Sequence, residues 1–150
     1  MTLNNLSLTV LIVVILISCT SKQISDTKSL TDADRYYSAL SAEKGRNAAF
    51  LEFFDSTGVM LSQHHFPIEG HAAISKQLLN HSDTTYTLTW EPSFAKVAQS
   101  GELGYTYGIY KLTDRKTKSL LEKGTYTTFW KKNTKGEWKA LLDTGNEGLK

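Results

Sequence analysis

The chain has one cysteine, two prolines and four histidines in 150 residues. A single thiol excludes an intrachain disulfide and any zinc site built from several cysteines. No apolar run approaches the roughly 20 residues that a membrane-spanning helix needs. Leu8–Ile17 has ten residues, and one of them is Thr9. Neither sign of charge dominates: 17 Lys+Arg against 15 Asp+Glu leave a net +2, which does not demand a nucleic-acid partner. P-loop, GxGxxG, GxSxG and HExxH patterns are all missing, as is any internal repeat. What is present suffices for one domain with a sizeable core: 40% hydrophobic residues, including 3 Trp, 7 Tyr and 6 Phe.

The charges and aromatics begin late. Residues 1–18 carry neither, apart from the α-amine. Leu8–Ile17 fits the apolar core of a signal peptide. Leu16-Ile17-Ser18-Cys19 then resembles a bacterial lipobox, with a small residue before the cut and Cys19 as the new N-terminus. The resemblance implies a diacylglycerol on the Cys19 thiol and an acylated amine, and two or three chains together anchor a protein stably. Lipidation would consume the thiol, leaving no cysteine nucleophile. Thr20 resembles the outer-membrane sorting pattern. The expected location is therefore the bacterial cell envelope, lipid-anchored in the outer membrane and facing the periplasm. The expected organisation is a signal peptide over 1–18, a lipidated cysteine and polar tether over 19–30 (Thr20–Ser29 reads TSKQISDTKS), and one domain over 31–150.

Within that domain helices precede strands. Thr31 with Asp34 three residues on is a capping-box-like start, and Ala33, Tyr37 and Leu40 share a helical face. Gly45 breaks this helix. Asn47–Phe54 is a second, with Phe50, Phe53 and Phe54 as its apolar stripe. Val59–Leu61 reads as a short strand, Gln63–Gly70 as a loop and Ala72–Leu79 as a third helix with Ile74 and Leu78 inward. Five strands follow: Tyr86–Trp90, Phe94–Ser100, Gly104–Leu112, Ser119–Lys131 and Trp138–Asp143. Short spacers between them favour antiparallel pairing, and helices followed by such a run make an α+β domain.

Gly70-His71-Ala72-Ala73-Ile74, Trp90-Glu91-Pro92, the string Ser100–Gly108 (SGELGYTYG), Gly124-Thr125-Tyr126, Trp130-Lys131-Lys132, Gly136-Glu137-Trp138-Lys139 and Asp143 occur in that order. Together they resemble the nuclear transport factor 2-like superfamily, close to its SnoaL-like and ketosteroid-isomerase-like bacterial domains of unknown function, over about residues 32–145. The resemblance implies a cone: a strongly curved antiparallel sheet packed against the N-terminal helices, with a pocket open at one end and a homodimer formed through the outer sheet face. It also implies which strand faces point inward. Tyr105 with Tyr107, then Tyr126, Thr128 and Trp130, and Lys139, Leu141 and Asp143 would line the pocket, with Tyr37 from the first helix. Asp143 beside tyrosine hydroxyls would be a general base or a protonated donor. At the position of the isomerases' catalytic Asp this chain has Leu61, which cannot abstract a proton.

His64, His65, His71 and His81 fall within 18 residues, but no pair has i, i+4 spacing on one predicted helix, so no metal site is expected. His64, near Leu61, is the candidate for an acid–base role. Lys111–Lys139 holds nine basic and three acidic residues, a net +6 concentrated at two hairpin turns. Three functions fit. One is an envelope lipoprotein whose pocket binds a small, largely apolar or aromatic molecule. Another is a cofactor-free enzyme (isomerase, hydratase or cyclase-like) using Asp143. The third is a dimeric structural or assembly module. The expected partners are the small molecule, the membrane and a second copy, with no nucleic acid.

Overall fold

A computed structural model describes residues 26–149. Helix α1 is described over residues 26–44 and is followed by α2 (Arg46–Phe53), β1 (Phe54–Leu61), β2 (Ile68–Glu69), α3 (His71–Leu79), β3 (Tyr86–Val97), β4 (Leu103–Asp114), β5 (Leu120–Lys132) and β6 (Trp138–Glu147). One six-stranded sheet has the order β2-β1-β6-β5-β4-β3. The signal-peptide and Cys19 readings lie outside the described residues.

Four expectations change. The tether is shorter, because residues 26–30 are already helix and Leu30 is fully buried. Leu30 fits there because Gly104 lacks a side chain; a Cβ at Gly104 would stand 2.7 Å from the Leu30 Cδ2. Asp26 is bridged by Lys132 (2.7 Å), and Ser29 accepts from Trp138 Nε1 (3.1 Å). Thr31 is therefore inside the helix, its hydroxyl bonded back to the Thr27 carbonyl (3.0 Å), and caps nothing.

The sheet is also mixed rather than antiparallel throughout. β3 to β6 form an antiparallel meander, but β1 lies parallel to β6, with Val59 opposite Leu142 and Met60 opposite Asp143. A parallel pair requires a long crossover, and here α3 and the four strands β2 to β5 supply it. Finally, the expected break at Glu91-Pro92-Ser93 is a register shift between Pro92 and Phe94 within one continuous strand, β3.

Helix α1 protects the sheet edge. β3 is terminal in the sheet, and its outer main-chain groups would be free to pair with another chain. Ser38 Oγ donates to the Trp90 carbonyl (2.6 Å) and accepts the Trp90 N–H (2.8 Å), and Ser41 Oγ donates to the Leu88 carbonyl (2.8 Å). The helix thus replaces a missing strand with side chains.

The core is aromatic. Phe53 packs edge-on against Trp130 (5.0 Å between ring centres), Phe54 (5.0 Å) and Tyr37 (5.3 Å). Trp130 is fully buried and Phe53 nearly so, and each contributes roughly 2–3 kcal/mol through burial. This cluster fills the part of the cone nearest α1. Toward the other end the sheet and helices diverge.

Candidate functional site

The divergence leaves a cavity of about 580 Å³. Its walls are mainly apolar: Phe50 and Phe53 from α2, Met60 and Leu61 from β1, Leu78 from α3, Leu88 and Trp90 from β3, and Leu112 from β4, interrupted by Ser62, Tyr86, Tyr110, Glu122 and Thr144. Its floor is polar, formed by Tyr126 and Thr128 on β5 and Asp143 on β6. These two strands are hydrogen-bonded neighbours, with Thr128 directly opposite Asp143. Arg46, His65, Gln77, His81 and Ser82 are more exposed and rim the mouth.

Asp143 Oδ1 accepts the Thr128 hydroxyl at 2.6 Å. Burial pushes the Asp143 carboxyl up to about 7, opposed by the Thr128 hydrogen bond and assisted by the charge of Asp34. A carboxyl with that midpoint is ionised or protonated at comparable populations near neutrality, which suits acid–base work and pH-sensitive binding.

Asp34 stands behind the floor. It is fully buried on α1 and does not line the cavity. Its Oδ1 accepts Trp90 Nε1 (2.6 Å) and its Oδ2 accepts the Tyr126 hydroxyl (2.7 Å). Burial raises its pKa, while hydrogen bonds from Tyr126, Thr106 and Trp90 pull the other way. Tyr126 is likewise pushed up, by burial first and then by the neighbouring Asp34 charge. Nearer the mouth the Tyr110 hydroxyl bonds to Glu122, and its pKa is raised by burial and by that carboxylate.

The residues singled out from sequence divide into three groups. Tyr126, Thr128 and Asp143 meet at the cavity floor. Trp130 and Tyr37 do not reach it. They stack in the core at 6.1 Å, with Trp130 Nε1 on Thr106 Oγ1 (2.8 Å) and the Tyr37 hydroxyl accepting Lys139 Nζ (2.8 Å). Tyr105 and Tyr107 lie on the opposite, outer face of the sheet, where Phe94 stacks on Tyr107 at 5.4 Å and Phe129 lies 6.1 Å from Tyr105. The inner positions of β4 are instead Thr106, Gly108 and Tyr110. Gly108 must be small, since a Cβ there would stand 2.8 Å from Tyr126 Cε1 and closer still to the Glu91 carbonyl.

His64 is exposed, in a left-handed backbone conformation (φ 62°), and does not line the cavity; its neighbour His65 does. Leu61 lines it as well, opposite Thr144 on β6. His71 is held by the Leu51 carbonyl (2.8 Å) and Ser75 (3.2 Å). Among the described residues no three His, Cys, Asp or Glu side chains are grouped to hold a metal ion, and no helix is long and apolar enough to cross a membrane.

Sequence reasoning missed Asp34, Trp90 and Tyr110 as site residues. A signal for Asp34 was present: it falls on one helical face with Leu30, Tyr37 and Leu40/Ser41, where an acidic residue must find buried partners. The inner face of β4 was marked by Gly104 and Gly108, whose lack of side chain suits the crowded side of a sheet.

A curved sheet folded against three helices over an open-ended cavity defines the nuclear transport factor 2-like, or cystatin-like, fold, and the chain has that fold. No protein-family model and no curated protein matches it. Solved structures do. A nuclear transport factor 2-like protein with a cystatin-like fold from Novosphingobium aromaticivorans superposes with a TM-score of 0.69 at 12% identity, covering 86% of each chain. A putative scytalone dehydratase from the same organism gives 0.67 at 15%, over 87% of this chain and 89% of that one. A ketosteroid isomerase-like protein from Erwinia carotovora atroseptica gives 0.62 at 12%, over 80% and 95%.

Proposed function

We propose that the protein binds a small, flat, largely apolar molecule in the cavity, with one polar group of that molecule against Asp143. The observation that carries this is a 580 Å³ space with mainly apolar walls and a single hydrogen-bonded Asp–Thr pair at its floor. Apolar surface supplies the affinity, and a few placed polar groups supply the orientation. The space is large enough for a drug-sized ligand, and an unfilled cone is not required by a purely structural block. The test is native mass spectrometry of the full chain from its own host. A non-covalent adduct should be present and should be lost in a Met60→Trp variant that fills the cavity. An adduct that survives the filling, or an apo protein that binds no member of an aromatic ligand panel, overturns the reading.

A second reading is favoured by the proton affinity of Asp143. A carboxyl near 7 in an apolar pocket can move a proton to or from a bound ligand without a cofactor. Isomerisation through a carboxylate on β1 is not part of it, because Leu61 is apolar.

We further propose that the chain is a lipid-anchored envelope protein facing the periplasm, acylated at Cys19, and that it forms a homodimer. The outer aromatic cluster of Phe94, Tyr105, Tyr107 and Phe129 supports the dimer. Metabolic labelling with an alkynyl fatty acid should mark the wild type and not a Cys19→Ala variant; equal labelling would overturn the anchor.

A further inference from the structure

We propose that the cavity selects ligands that donate a hydrogen bond at its floor, a hydroxyl or amino group on a flat apolar body, and disfavours those presenting only acceptors there. This rests on the binding reading above and gives the ligand a polarity.

The donors of the floor are already committed. Trp90 Nε1 and the Tyr126 hydroxyl both donate away from the cavity, to Asp34. Thr128 Oγ1 donates to Asp143 Oδ1. One step nearer the mouth, the Tyr110 hydroxyl is bonded to Glu122. Trp90, Tyr126 and Thr128 are at most 9% exposed, so water does not stand in for these partners. The main chain offers nothing more, since Tyr126 and Thr128 are paired on both sides, with β4 and with β6. With Asp143 ionised, what faces the cavity is therefore lone pairs: the second oxygen of Asp143 and the remaining acceptor capacity of Tyr126 and Thr128.

Asp34 sets this polarity. An indole N–H can only donate, so Trp90 fixes one Asp34 oxygen as an acceptor, and Tyr126 meets the other. With an acceptor behind the wall, the Tyr126 proton points away from the ligand. An ether, ketone or oxyanion lodged at the floor would leave its own lone pairs unmatched against those of the protein, which is costly in a buried site. A phenol, alcohol or amine satisfies them. The other donor-bearing side chains of the lining, among them Arg46, Ser62, Gln63, Gln77, His81 and Thr144, lie outside the Tyr126–Thr128–Asp143 floor, so the preferred ligand has its donor toward that floor and tolerates acceptors elsewhere.

The test uses the full chain in detergent micelles at pH about 8, one unit above the Asp143 midpoint, with empty micelles as the blank. Calorimetric titration compares β-naphthol, its methyl ether and naphthalene. β-Naphthol should bind at least about tenfold more tightly than the other two, as expected for a buried hydrogen bond to a charged acceptor. A methyl ether that binds as well as the naphthol overturns the donor rule and leaves the binding reading standing. Failure of all three to bind overturns both. Asp143→Asn places an amide donor on the floor and should shrink the naphthol preference to about threefold or less; an unchanged ratio counts against the assignment.

Discussion

Asp143 couples the pocket to the stability of the molecule. Its midpoint in the folded chain is about 7, against 3.8 for an ordinary aspartate. The folded state therefore holds this proton more tightly than the unfolded state. Below about pH 4 both states are protonated and no penalty exists. As pH rises toward 7 the unfolded chain releases the proton first, and stability falls; above 7 the loss is complete. Asp143→Asn removes the ionisable group and keeps an acceptor for Thr128. It should gain roughly 2–4 kcal/mol at pH about 8 and nothing at pH about 4. Thermal denaturation at the two pH values checks this, and an equal effect at both would show that Asp143 is not the group responsible. The inward position of Asp143 was implied by the family resemblance, while strand alternation grouped it with the wrong neighbours, Lys139 and Leu141. The register shift in β6 leaves Leu141 without a partner on β5, so Trp138 and Ala140 precede the bulge on the inner side and Asp143 follows it there. One extra residue switches the alternation, and Lys139 departs to bond Tyr37. Asp34 was read as part of a cap because its local spacing to Thr31 fits one. Only the tertiary partners Trp90 and Tyr126 reveal its role.

Helix α1 shows how an element can be right in type and wrong in extent. The periodic face of Tyr37 and Leu40 was readable, but residues 26–30 look like linker because their anchoring contacts are polar and distant in sequence, as with Asp26 to Lys132. The same helix carries Asp34, Ser38 and Ser41 as a polar stripe against β3. Ser38 satisfies both main-chain groups of Trp90. Ser38→Ala should cost about 1–3 kcal/mol, because it strands a buried donor and acceptor together, whereas Ser29→Ala at the helix's exposed end should cost less. Urea unfolding of the two variants gives the comparison. For β4 the hydrophobic pattern was misleading in a physically simple way. Both faces of that strand carry aromatics, inner Tyr110 and outer Tyr105 and Tyr107, so alternation alone could not say which face is the inside.

On the scale of the whole molecule, the outer aromatic face and the cavity are separate features of one sheet. Phe129 and Tyr107 are 49% and 46% exposed, and the inner residues between them are not. If that face joins two copies, Phe129→Glu should convert a dimer to a monomer in sedimentation equilibrium while leaving β-naphthol affinity within about twofold. A dimer that persists would place the contact elsewhere. The arrangement of β1 beside β6 has a different consequence. Met60 and Asp143 adjoin only when the last strand has docked beside the first. A chain still being made, short of its final strand, possesses neither the seam nor the floor. Occupancy of the pocket by the proposed ligand would consequently be a certificate of completion: such an occupant would engage finished molecules alone and, by mass action, shield them from proteases that would take the unfinished ones.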